Sequence, residues 1–487
     1  MSRSLRVVAY AVNGAGAGHL VRLVAIARWL RRYAAWSGVR LEVFFLTSSE
    51  ADGLPLSERF ASFKLPSKTM VAEARIDKTT YLALAKQWVW QSIALLRPDL
   101  FVVDTFPAGA FGELVSALDL CRRRAIVYRP MLEEHARRPE VQALLPLYDR
   151  ILIPESEDHG GVLVPAAARG RSRFVGPVAV RDRVELPSRE ESRARLGLPA
   201  EARVAYVSAG GGGDAHAGRQ LAAGVEALLA VDPELRVVLG AGPLHRGRLP
   251  RGPRVTPLVH EVAAELAPAF DLAVSAAGYN AFVELMLAGV PTVFVPQPKI
   301  ADDQAARALR AVRAGAARVV EDGAPAAELA AAARALLEPA AAHAASLAAR
   351  ALVPRSCARV AAAELLRLCL PAPEVDRAEA AVTDALLGRA GALGVPEELL
   401  VELMHALDGD GGHASPAREL GSLLRAAGAI VELARAEGAP LETLGAAAHD
   451  AVRRLRDASV EDRRSAIERV VLRERGAAGG AGEARPC

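Results

Sequence analysis

Val274-Ser-Ala-Ala-Gly-Tyr-Asn-Ala-Phe-Val-Glu-Leu-Met-Leu-Ala-Gly-Val-Pro-Thr-Val-Phe-Val-Pro296, followed by Asp302-Asp303-Gln304, reads as strand, glycine turn, short helix, strand and then a polar loop that opens another helix. The segments Leu272–Ser275 and Thr292–Val295 are apolar without alternation, as strands buried on both faces of a parallel sheet are. The polar residues fall at the carboxyl ends of those strands, where open α/β sheets bind ligands. A site is thereby placed before its chemistry is read.

Working outward, the same alternation fills the chain from its start. Strands are expected at Arg6–Val12, Leu41–Leu46, Leu100–Asp104, Ala125–Tyr128 and Arg150–Ile153. Helices are expected at His19–Tyr33, Lys78–Leu96, Gly109–Leu120 and Pro139–Leu147. Ser49–Ile76 shows no clear period and reads as a long connection. A second block follows, with strands at Val204–Ser208, Arg236–Leu239, Arg254–Leu258, Leu272–Ser275 and Thr292–Val295. The proline- and charge-bearing segment Pro177–Pro199 reads as the joint between the blocks. The fold class is thus α/β, two doubly wound halves in series facing a cleft. Pro325–Leu370 is alanine-rich and helical, and Pro371-Ala-Pro373 ends it. Beyond lie only helix-like patterns with Gly/Pro stops, then a Gly/Ala-rich tail. The expected domains are 1–178, 179–370, a helical appendix at 374–475 and a disordered tail at 476–487.

A chain of 487 residues with 52% hydrophobic content suits several packed domains, and its net charge of +3 makes no case for nucleic acid. The four cysteines, Cys121, Cys357, Cys369 and Cys487, form no Cys-x-x-Cys pair and no zinc spacing. A reducing cytoplasm is expected. Arg6–Val12 reads as a first core strand and not a signal peptide, and no apolar run reaches membrane-spanning length. Peripheral membrane contact stays open.

Two glycine loops follow strands and open helices. Gly14-Ala-Gly-Ala-Gly18-His19 offers free amides and a helix dipole to an anion. It also fits a dinucleotide fingerprint, but Thr47-Ser-Ser49 stands where the acidic partner belongs, with Glu50 a poor substitute. His19, on the first helical turn, suits a neutral base, since a helix N-terminus lowers its pKa. A loop-packing histidine is the plainer alternative. Asp104 ends a buried strand in the same crevice and is placed to orient His19; its alternative is a turn or cap. Ser208-Ala-Gly-Gly-Gly-Gly-Asp214 is the second loop, suited to a diphosphate held by amides; a hinge is its alternative. Glu284 suits the two hydroxyls of a ribose, and Asp303 and Gln304 suit sugar hydroxyls or a helix cap.

Together these residues resemble the nucleotide-sugar half of GT-B glycosyltransferases, and most closely the MurG-like group. The matching pattern is Ser275-Ala-Ala-Gly278-Tyr-Asn280, Glu284, Ala288-Gly-Val-Pro291, Val295-Pro296, Asp303-Gln304 and Arg313-Ala-Gly-Ala316. Gly14–His19 with Leu20-Val-Arg22 resembles the family's first loop. The resemblance runs over about residues 5–370 and is strongest near 255–320. It implies a GT-B fold and transfer of a sugar from a nucleotide sugar, UDP favoured, to an acceptor hydroxyl, without metal or cofactor. Their own positions, and not the resemblance, make His19 and Asp104 the candidate catalytic residues. Donor residues would be Gly210, Gly211, Gly212, Gly213, Leu258, Val259, Gly278, Tyr279, Asn280, Glu284, Asp303 and Gln304. Acceptor residues would be Gly14, Gly16, Gly18 and Arg22. The family's Ser-Gln after its second glycine loop is here Gly-Gly-Asp214, which puts a carboxylate near the diphosphate. Alternatives are a sugar-nucleotide epimerase on the same fold, or a non-catalytic scaffold acting through the appendix. Self-association through the C-terminal helices is a further expectation.

Overall fold

The computed structural model describes residues 3–12, 17–159, 162–213, 216–242, 244–258 and 263–383. Gly14, Gly16, Asp214, Val259, all of the appendix beyond 383 and the tail lie outside the described residues.

Thirteen strands are described. The first sheet contains β1 Ser4–Ala11, β2 Arg40–Thr47, β3 Ala61–Lys64, β4 Leu100–Asp104, β5 Arg124–Val127, β6 Arg150–Ile153 and β7 Ser172–Phe174. The second contains β8 Val204–Ser208, β9 Arg236–Gly240, β10 Val255–Leu258, β11 Leu272–Ser275, β12 Thr292–Phe294 and β13 Ala317–Val319. Their orders are β3-β2-β1-β4-β5-β6-β7 and β10-β9-β8-β11-β12-β13. The registered pairings, such as Val7 with Leu100 and Ser275 with Ser208, are parallel. Each order reverses once, between β1 and β4 and between β8 and β11. Those are the switch points where a crevice opens outside the strand ends. Strands β4, β8, β11 and β12 are buried at every residue, which their unbroken apolar runs require.

The expected α/β architecture is present, with differences that have local causes. Gly109–Leu120 is not a helix. Gly109 and Gly112 both adopt φ +79°, and the buried Glu113 carboxylate accepts from Ala110 N at 2.8 Å and Phe111 N at 2.6 Å. Side-chain bonds to backbone thus replace helical ones, and only Leu118–Leu120 forms a short 3₁₀ turn. The connection Ser49–Ile76 contains β3 and two short helices, Gly53–Ser57 and Lys68–Glu73. Pro325 is the N-cap of the helix Ala326–Leu337, one position before its first turn. Two more helices, Pro339–Leu352 and Ala358–Leu366, complete the expected helical run.

The joint Pro177–Pro199 is packed. Val178, Ala179, Val180, Arg181, Asp182 and Glu185 are buried. Arg28 pairs with Glu185 at 2.8 Å and Glu58 at 3.1 Å, and Arg181 pairs with Glu58 at 2.5 Å and Glu265 at 2.6 Å.

The described chain divides into two compact units. Among the described residues, Ser4–Leu30 with Leu41–Leu370 forms one, and Arg3, Arg31–Arg40 and 371–383 form the other. In the second unit the helix Ala372–Thr383 is tied to the N-terminal residues by Arg3–Glu374 at 2.8 Å. Among the described residues no helix is long and apolar enough to cross a membrane.

Candidate functional site

A cleft of about 1860 Å³ opens at the carboxyl ends of both sheets, within the larger unit. Gly18, His19, Arg22, Phe106 and Arg129 line it from the first half, and Gly210, Gly211, Gly278, Glu284 and Gln304 from the second.

β4 ends in Asp104, which is fully buried, so its charge requires partners. His19 Nδ1 lies 2.5 Å from Oδ1, and Arg22 donates Nη2 to Oδ1 at 2.6 Å and Nε to Oδ2 at 2.9 Å. Thr105 donates its hydroxyl to Oδ1 at 2.6 Å. It does so from φ +66°, which a β-branched residue adopts only under strain. Burial works to raise the Asp104 carboxyl, but Arg22 and His19 hold it well below the usual carboxylate range. Burial lowers the His19 pKa and outweighs the Asp104 contacts, so the ring is neutral at pH 7. The His19 side chain is 14% exposed, and with Nδ1 bound to Asp104, Nε2 is the nitrogen left for the cleft.

Arg22, expected at the acceptor, is 2% exposed and bound to Asp104. Its guanidinium is therefore unavailable for a bidentate acceptor contact.

On the opposite side, Gly210 and Gly212 adopt φ +77° and +80°, and Ser208 Oγ accepts from Gly210 N at 3.1 Å. Gly210 and Gly211 line the cleft; Gly212 and Gly213 do not. A Cβ on Gly212 would sit 2.2 Å from Ala241 O, so this glycine serves a close approach of two loops. Glu284 is half-buried on the helix Tyr279–Ala288 and lines the cleft. Burial pushes its carboxyl up to about 8, with Arg181 opposing. Leu258 lines the same side. Gln304 is buried, and its Oε1 accepts from Gln297 N at 2.9 Å. Asp303 is turned from the cleft and caps the helix Gln304–Arg313, accepting from Ala306 N at 2.9 Å. The helix-cap alternative is the one the structure takes. The Tyr279 hydroxyl donates to Pro154 O at 2.7 Å and accepts from Val178 N at 2.9 Å, so only its ring faces the site.

Three features were missed. Asp302, one residue before the expected position, bridges Arg129 at 2.6 Å and Arg307 at 2.8 Å across the two halves. Burial opposes it, but these guanidiniums hold its carboxyl at about 2. Arg129 follows β5, so the rule that placed Asp104 would have found it. Thr105 carries no sequence signal of its strain. Glu50, the poor dinucleotide substitute, pairs with Lys64 at 2.7 Å. Among the described residues no group of His, Cys, Asp or Glu is arranged to hold a metal ion.

Residues 253–358 match the glycosyltransferase family 28 C-terminal domain. The chain is 30% identical over 268 residues to the UDP-N-acetylglucosamine–N-acetylmuramyl-(pentapeptide) pyrophosphoryl-undecaprenol N-acetylglucosamine transferase of Mycobacterium bovis, over 51% of this chain and 63% of that protein. The transferase of the same name from Clavibacter michiganensis is 32% identical over 169 residues, 33% of this chain and 45% of its own length. The chain thus spans less than two thirds of the length of these relatives. The glycotransferase of kitacinnamycin shares the fold, with TM-score 0.51 and 21% identity over 76% of this chain and 100% of that one.

Proposed function

We propose that this MurG-like GT-B protein is a glycosyltransferase, moving a sugar from a nucleotide sugar to an acceptor hydroxyl. The observation that carries this reading is the single cleft that holds the neutral His19 on one side and the Gly210–Gly211 turn and Glu284 on the other. The acceptor O–H proton passes to His19 Nε2 as its oxygen bonds to the anomeric carbon. The bond from that carbon to the diphosphate breaks, and the glycine-loop amides take up the departing charge. Asp104 keeps Nδ1 as the protonated nitrogen and stabilises the imidazolium as it forms. Glu284 accepts from the ribose hydroxyls, and Gln304 contacts the donor sugar. UDP is the favoured nucleotide, read through backbone beyond Leu258. An enzyme drawing on nucleotide sugars works where they are made, which favours the cytoplasm.

Incubation with a panel of UDP- and TDP-sugars tests the reading. A donor should raise the melting temperature, and nucleoside diphosphate should be released with acceptor present. No stabilisation and no release by any of the panel would overturn it.

Glu284→Ala should weaken donor binding by roughly 1.5–3 kcal/mol, the worth of a charge-assisted hydrogen bond. The ionised carboxylate is the form that accepts two hydroxyls. Because burial holds the carboxyl protonated up to about 8, affinity should rise with pH below that value, by up to about tenfold per unit, and level off above it. Calorimetry that finds Kd unchanged in a well-folded Glu284→Ala variant would remove Glu284 from the site, and a Kd flat between about pH 6 and 9 would show that its carboxyl is not raised.

The chain beyond Leu370 is proposed to mediate self-association, as part of the unit that residues 371–383 form with Arg31–Arg40. A chain ending at Leu370 should stay soluble, melt cooperatively and still bind donor, while losing any oligomer seen by light scattering. An insoluble product would show that the removed residues belong to the transferase core.

A further inference from the structure

We propose that Arg22 is a positioning residue that ties the proton affinity of His19 to the seating of the helix Tyr279–Ala288; the proposal rests on the reading of His19 as proton acceptor. Arg22 is almost wholly buried, so it acts through its neighbours. It grips both oxygens of Asp104, and Nη2 also stands 3.3 Å from His19 Nδ1. The imidazole therefore shares Oδ1 with a guanidinium and with the Thr105 hydroxyl, and has no carboxylate to itself.

The same side chain reaches the second half. Its guanidinium carbon lies 4.8 Å from the centre of the Tyr279 ring, and Nη1 is 3.5 Å from Asn280 Oδ1. Asn280 Nδ2 donates to Gly18 O at 3.2 Å, the carbonyl directly before His19. Tyr279 and Asn280 open the helix that carries Glu284. A shift of that helix moves the guanidinium, and with it the share of Asp104 that His19 receives.

The sign follows from the charges. Asp104 favours the imidazolium, while Arg22 and Arg129 disfavour it. His135 faces the ring across Phe106. From the second half come Asp302, bound to Arg129, and Tyr279, whose ring lies beneath Arg22 and whose hydroxyl is held by Pro154 O and Val178 N. Burial does most to keep His19 a free base, and Arg22 adds to it by partly neutralising the carboxylate. Without it, Asp104 pairs with His19 alone and the ring protonates more readily.

Proton NMR titration of His19 in the full chain reads this without turnover. Arg22→Met should raise its pKa by about one unit or more, and the acid limb of kcat should rise with it. Arg22→Lys keeps the charge but loses the fork and the stack on Tyr279. It should give a smaller rise in the same direction, and it serves as the test if the methionine variant does not fold. UDP should move the His19 titration in the wild type and move it less in either variant. A titration unmoved or lowered in a folded variant overturns the proposal, and an equal response to UDP in wild type and variant overturns the coupling to the helix. A raised titration in a chain that transfers no sugar would leave the Arg22–His19 linkage standing and sink the proton-acceptor reading.

Discussion

Replacing His19 with alanine should lower turnover by on the order of 100-fold or more while leaving donor affinity nearly intact. A base acts in the transition state, and positioned proton transfer is worth about 10²–10⁴ in rate. The groups proposed to hold the donor, Gly210, Gly211 and Glu284, belong to the opposite half of the cleft. The loss should therefore fall on kcat, a barrier increase of about 2.7 kcal/mol or more. Because burial lowers the His19 pKa, the wild-type base stays neutral below the ordinary histidine range. Activity should fail only as pH drops through that lowered value. Steady-state kinetics with calorimetric donor binding check this. If donor binding collapses while turnover at saturation holds, His19 is a binding residue and the proposed mechanism fails.

Asp104→Asn should destabilise the larger unit by about 3–5 kcal/mol, the usual cost of removing one partner of a buried ion pair. Arg22 is 2% exposed in its side chain and Asp104 0%, so neither charge can turn to water. The asparagine keeps the shape and removes the charge. The pH dependence also has a definite sign. The folded carboxyl lies below its unfolded value of about 3.9, so its stabilisation is complete above that value. It is lost only as pH falls through the still lower folded value. Urea unfolding at pH 7 provides the measurement. A loss under about 1 kcal/mol would show that Arg22 finds another partner and that the pair does not anchor the fold.

The strands β4, β6, β8 and β11 were legible to the residue, because a strand covered on both faces must be an apolar run with clear ends. The outer strands β3, β7 and β13 were not. Each has only three or four residues, and sequences such as Ala-Ser-Phe-Lys and Ser-Arg-Phe hold no fully buried residue, as sheet margins often do not. Position at strand ends brought His19 and Asp104 together correctly, since both flank the β1/β4 switch point. The pattern could not choose between Asp302 and Asp303, because neighbouring residues in a loop point apart and only the fold says which faces the cleft. Nor could it show that the Arg22 side chain turns inward. That depends on the buried charge of Asp104, 82 residues on in the sequence but on the strand next to β1 in the sheet.

The packed joint between the halves also governs how such chains can be recombined. Arg28 and Glu58 come from the first half, and Arg181 and Glu185 from the joint itself, yet they form one network of charges shielded from water. A hybrid chain spliced at the obvious boundary near residue 178 would inherit the first pair from one parent and the second from another. Unless both parents supply matching members, one charge is stranded and the splice fails for reasons remote from the cleft. A crossover that respects the network takes Arg28, Glu58, Arg181 and Glu185 from a single parent, passes beyond Glu185, and keeps a glutamate at 265 to meet Arg181.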